Sequence, residues 1–144
     1  MERGASAELP QIYADKFGWR ELAAEVARVW RTLPEADRTL AAIFGRNYGE
    51  AGAIDYFGPK LGLPHAVSPH NSYWLWGPGD WDGRVAVVIG EIPPEIASLF
   101  GSVELLGHHS CALCMPYETE LSIYVARDLE IPVSELWARI KRFS

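Results

Sequence analysis

From Trp19 onward, apolar residues recur at Leu22, Val26, Val29 with Trp30, and Leu33, while Arg20, Glu21, Glu25, Arg28 and Arg31 take the other faces. That period predicts an amphipathic helix, and Pro34 stops it. Leu40 to Phe44 is a short unbroken apolar run, as expected of a strand buried on both sides, and Gly45 with Asn47-Tyr48-Gly49 ends it. Glu50 to Phe57 places Ala51, Ile54 and Phe57 at helical spacing before the Gly58-Pro59 stop. His65 to Ser68 reads as a second short strand. Pro69 to Gly83 reads as an aromatic loop or hairpin. Arg84 to Ile89 is the clearest strand, Pro93-Pro94 opens a short helix, and Ser102 to Leu106 is a further strand. Leu121 to Ala126 is β-branched and aromatic, and Val133, Leu136, Trp137 and Ile140 share one stripe of a closing helix that Ser134 could cap.

Strands alternating with helices at this spacing imply parallel neighbours joined by crossovers. The expected architecture is an α/β, Rossmann-like three-layer sandwich with a mainly parallel sheet. Residues 1–8 are polar and expected to be disordered, leaving 9–144 as one domain with no repeat or linker dividing it. A chain of 144 residues supports one ordinary core, and 49% apolar with 22% charged residues fits a folded protein.

The net charge of −6, with no basic block longer than Lys141-Arg142, removes the patch that nucleic-acid binding needs. Apolar runs such as Leu40 to Phe44 and Val85 to Ile89 fall far short of the roughly 20 residues that span a bilayer. The first six residues lack the basic and apolar regions of a secretory signal. That leaves a cytosolic protein or a domain cut from a longer chain.

Three stretches carry a resemblance. They are Leu9-Pro10-Gln11 with Tyr13-Ala14-Asp15 and Phe17-Gly18-Trp19, then Asn47 to Asp55 (NYGEAGAID), then His70 to Pro78 (HNSYWLWGP). Together they resemble the C-terminal soluble region of bacterial family-39-type membrane glycosyltransferases, relatives of the dolichyl-phosphate-mannose protein mannosyltransferases. The similarity runs from about Leu9 to Phe143. It implies a parent whose transmembrane bundle transfers a sugar from a polyprenyl-phosphate donor on the outer side of the membrane, with the catalytic acid in a loop of that bundle. It also implies an extracytoplasmic location and makes Met1 the start of an excised piece, a split gene or a misassigned start.

The residues offer several places for chemistry. A strand, a Gly-containing turn and a helix form the geometry that binds anions on backbone N–H groups, but Gly45 to Gly52 lacks the dinucleotide spacing, and Glu50 in the first turn would repel a phosphate. This turn reads as a structural cap, a site for a sugar or lipid headgroup, or a nucleotide site. In a parallel sheet, Asn47, Tyr48, Glu50, His70, Asn71 and Glu91 would gather at the carboxyl edge, either to orient a sugar hydroxyl and move a proton or simply to satisfy loop backbone. Tyr73, Trp74, Trp76 and Trp81 suit the apolar face of a sugar or a membrane interface, or else pack as a satellite core. His108, His109, Cys111 and Cys114 are the most metal-like group, yet a single C-x-x-C beside adjacent histidines falls short of a zinc signature. A Cys111–Cys114 disulfide and free buried thiols remain open, and Met115-Pro116 fits thioredoxin-type redox chemistry poorly.

The expectation is therefore a non-catalytic accessory or acceptor-recognition domain of a polyprenyl-phosphate-dependent membrane glycosyltransferase. Its partners would be the membrane-embedded part of the parent and a sugar or polyprenyl-phosphate headgroup. No cofactor is expected, and the candidate ligand-binding residues are Asn47, Tyr48, Glu50, His70, Asn71, Tyr73, Trp74 and Trp76. The rival is a small independent enzyme or ligand-binding protein using Glu50, His70 and Asn71.

Overall fold

The computed structural model describes residues 5–45, 48–67, 79–110 and 120–140. Helix α1 (Ala5–Thr32) and helix α2 (Glu35–Leu40) lead into strand β1 (Ala41–Phe44). Helix α3 (Tyr48–Phe57), a 3-10 turn (Pro59–Leu61) and strand β2 (Ala66–Val67) follow. Strand β3 (Val85–Ile89), the short helix α4 (Pro94–Ala97), strands β4 (Phe100–Ser110) and β5 (Glu120–Leu129), and helix α5 (Val133–Ile140) complete the order. No helix among the described residues is long and apolar enough to cross a membrane.

The five strands form one sheet in the order β2-β1-β3-β5-β4. β1 pairs in parallel with β2 and β3, whereas β5 pairs antiparallel with both β3 and β4 over the longer ladders. The sheet is therefore mixed and largely antiparallel, which corrects the Rossmann-like, mainly parallel expectation. The parallel expectation fails at β5, which inserts between β3 and β4 and runs antiparallel to both. Alternation of strand and helix holds only as far as β4.

Side-chain alternation sorts the core into two. On one face Ile43, Val87, Ile123 and Val125 meet Leu22, Val26 and Val29 of α1 and Ile54 of α3. Burying each such side chain contributes about 1.5–3 kcal/mol. On the other face Phe44, Ala86 and Ala126 meet Trp81, Ile96, Leu136 and Trp137. The stripe read from the sequence for α1 is thus the face that lies on the sheet. α2, too short to give a periodic signal, is tied to β5 by the half-buried ion pair of Arg127 Nη1 with Asp37 Oδ2, 2.7 Å.

β4 is an edge strand, and α1 closes part of its open side. Arg28 donates from Nη2 to the carbonyl of Leu106 (3.0 Å) and to Glu25 Oε2 (2.8 Å), while the amide of His108 donates to that same Glu25 oxygen (3.2 Å). The Arg28 guanidinium and the His108 amide hold the Glu25 carboxyl below its ordinary range, against the opposing effect of burial. These contacts occupy backbone groups that an edge would otherwise offer to another chain. The ladder shifts register between Leu105 and Gly107, and α1 can approach there only because residue 107 is glycine. A Cβ at Gly107 would lie 2.6 Å from Val29 Cγ2.

Gly107→Ala should therefore lower the urea unfolding free energy by about 1–3 kcal/mol through overpacking. In a double-mutant cycle Val29→Ala should recover part of that loss. Strict additivity of the two substitutions would show that the close approach is not the cause.

Candidate functional site

The carboxyl ends of β1, β2 and β3 share one edge, because these three strands run parallel. At that edge the amide of Gly45 donates to the carbonyl of Val67 (2.8 Å), joining the exits of β1 and β2. Gly45 also passes so close to α3 that a Cβ there would lie 2.7 Å from the backbone nitrogen of Ala51. Glycine is needed for this contact. Asp55, on the next turns of α3, accepts the amide of Ala66 at Oδ1 (2.8 Å) and so fixes β2 beside the helix.

Below this edge, on the face covered by α4 and α5, lies a cavity of about 150 Å³. Phe44, Trp81, Ile92, Ile96, Phe100 and Ile140 form much of its apolar wall, and Glu91 is its charged lining residue. Trp81 is held rigidly. Its indole N–H donates to the carbonyl of Val85 (2.7 Å), and its ring meets Phe44 edge to face at 4.8 Å between centroids. Phe44 also touches Trp137 at 6.1 Å.

Glu91 lies two residues past the end of β3 and is exposed, and its Oε1 accepts the Tyr124 hydroxyl at 3.0 Å. A phenol is already protonated at neutral pH, and desolvation together with the hydrogen bond to Glu91 pushes the Tyr124 pKa further up, against the opposing effect of Ser122. Tyr124 and Ser122 share a face of β5, and the ladder pairs Ser122 with His108. His108 Nε2 in turn lies 3.9 Å from Glu120 Oε1. A polar strip of Glu91, Tyr124, Ser122 and His108 thus runs beside the apolar cavity. It can accept and donate hydrogen bonds to hydroxyl groups, and its carboxylate disfavours an anion.

The structure distributes the sequence candidates unevenly. Glu50 sits in the first turn of α3, fully buried and engaged, and does not line the cavity. Tyr48 opens α3. Asn47, His70, Asn71, Tyr73, Trp74 and Trp76 lie outside the described residues, as do Cys111 and Cys114. Trp81 is a core residue, which realises the satellite-core reading for that ring. His108 and His109 are consecutive on β4 and face opposite sides of the sheet, so they cannot both bind one ion. Among the described residues no group of three or more His, Cys, Asp or Glu is placed to hold a metal. Tyr124 escaped sequence reasoning because its site role needs the antiparallel insertion of β5. The alternation of Leu121, Ile123 and Val125 with Ser122 and Tyr124 was the available signal.

Comparison with protein-family models, with curated proteins and with solved structures finds no match to this chain.

His109 faces α1 and is buried, and that burial lowers its pKa from 6.5; Glu21 and Glu25 oppose the shift and His108 adds to it. Since the unfolded chain binds this proton more readily, stability should fall as pH drops through 6.5 and level off once the folded value is passed. Urea midpoints measured across that range should show the decline, and His109→Gln should flatten it. Equal slopes for the two proteins would assign the effect to other groups.

Proposed function

We propose that this chain is a non-catalytic, extracytoplasmic recognition domain of a polyprenyl-phosphate-dependent membrane glycosyltransferase, and that it engages the acceptor at the carboxyl edge of β1, β2 and β3. The observation that carries this reading is the Gly45–Val67 bond beside the cavity. Gly45 lies two residues before the Asn47 to Asp55 stretch, and Val67 three residues before the His70 to Pro78 stretch. Two of the three stretches that carry the resemblance thus follow strand ends that meet at this edge, and Trp81, three residues after the second stretch in sequence, lines the cavity.

The chemistry of that place favours the acceptor over the lipid-phosphate donor. An apolar wall suits the hydrophobic face of a ring, and the Glu91–Tyr124 pair suits hydroxyl groups. A carboxylate at the mouth opposes a phosphate. The rival enzyme reading requires Glu50 to reach a substrate, and its complete burial away from the cavity speaks against that role.

In membranes containing the full-length transferase, Glu91→Lys should raise KM for the acceptor several-fold and leave KM for the polyprenyl-phosphate sugar unchanged. The isolated chain should release no sugar from that donor. Turnover by the isolated chain, or a variant with unaltered acceptor kinetics, would refute the proposal.

A further inference from the structure

We propose that the cavity between β1, β3 and α4 binds a compact apolar group carrying a protonated amine, with the ring or alkyl part inside and the ammonium on Glu91. This identifies the feature of the ligand that the carboxyl edge reads. It rests on the assignment of that edge as the binding face, though not on its attachment to a transferase.

Three observations lead there. The first is size. At about 150 Å³ the cavity has the volume of a pocket that holds one benzene-sized group. A whole sugar ring with its hydroxyl groups would have to stay outside, on the polar strip, and a polyprenyl chain could insert little more than one unit.

The second is the wall. Phe44 and Trp81 present rings held at fixed angles, and Ile92, Ile96, Phe100 and Ile140 close the remaining sides. Among the described residues, no side chain of this wall other than Glu91 is charged. A ligand group that enters must leave its own polar atoms at the mouth, since buried polar atoms without partners are costly.

The third is the mouth. Among the described residues, the Glu91 side chain has the Tyr124 hydroxyl as its hydrogen-bond partner and no cation within ion-pair distance. Tyr124 occupies one carboxylate oxygen and leaves the second, with further lone pairs on the first, for an incoming donor. An ammonium supplies three donors and the complementary charge. A hydroxyl supplies one donor without the charge, and a carboxylate or phosphate supplies repulsion.

The test uses probes of one shape and different charge. Benzylammonium, benzyl alcohol and benzoate are titrated into the isotopically labelled chain at neutral pH, with amide shifts followed by NMR. Benzylammonium should bind most tightly and benzoate least, with the largest shifts at Ile92, Ile96 and Phe100. Glu91→Gln, a change at an exposed residue, should weaken benzylammonium about tenfold or more and leave benzyl alcohol within about twofold. Ile96→Phe, which adds volume to the wall, should weaken all three probes.

Shifts centred away from these residues, benzoate binding as well as benzylammonium, or no saturable binding by any probe in the millimolar range would each overturn the inference. Amine binding by the isolated chain with unchanged acceptor kinetics for Glu91→Lys would uphold the cavity and remove only the transferase reading.

Discussion

β3 is the strand on which the rest of the molecule depends. It is hydrogen-bonded on both sides and covered on both faces, so its backbone groups must be satisfied by two neighbours of opposite direction. β1 approaches in parallel through Ala41 to Phe44, and β5 approaches antiparallel through Ile123 to Arg127. A proline within Val85 to Ile89 would remove an N–H from one of the two ladders, and a charge at a buried position there would be left without a partner. The mixed sheet follows from this arrangement, and the candidate site follows from the mixed sheet. At the carboxyl end of β3 a residue leaving a parallel strand, Glu91, meets a residue of an antiparallel one, Tyr124.

The two faces of that seam are unequal. Toward α1 the sheet presents Ile43, Val85, Val87, Ile89, Ile123 and Val125, branched residues that fill the space under a long helix. Toward α4 and α5 it presents Ala42, Ala86 and Ala126 among larger neighbours. Small residues on a sheet need large ones opposite them, and Phe44, Trp81 and Trp137 supply that volume as a cluster of rings. Rings locked by one another and by the Trp81 indole bond cannot collapse fully onto alanine. The space left over is the cavity. An apolar pocket open to solvent beside a charged residue has the form that small-ligand sites take.

Much of the local structure was legible in the sequence, and the long-range pairing was not. The stripe Leu22, Val26, Val29, Trp30 names the buried face of α1, and the runs at Leu40 to Phe44 and Arg84 to Ile89 mark the two strands at the centre. These signals are local, and hydrophobic periodicity reports them directly. Strand direction is not local. Ser102 to Leu106 and Leu121 to Ala126 each read as a strand, but neither run carries its own direction, and the alternation preceding them favoured a parallel default. The site suffered the same way. Glu91 was placed at the carboxyl edge from sequence, whereas Tyr124 could not be, since its partner is set by β5 inserting beside β3. Glu50 lies apart from the cavity for a different reason: polar type and position suggested accessibility, and burial depends on packing that no spacing encodes.

Electrostatics then narrows what the edge can receive. The chain carries a net charge of −6, so its long-range field attracts cations and repels anions before any contact forms. At short range the Tyr124 phenol donates its hydrogen to the Glu91 carboxylate and thereby stabilises the negative charge at the mouth. Field and contact act in the same direction. A lipid phosphate approaching this face would meet both, and would need basic groups supplied by another part of a larger assembly. An acceptor rich in hydroxyl groups or bearing an amine meets neither obstacle. Under the proposed reading, donor recognition would fall to another part of the assembly, and the carboxyl edge of this sheet would read the molecule that receives the sugar.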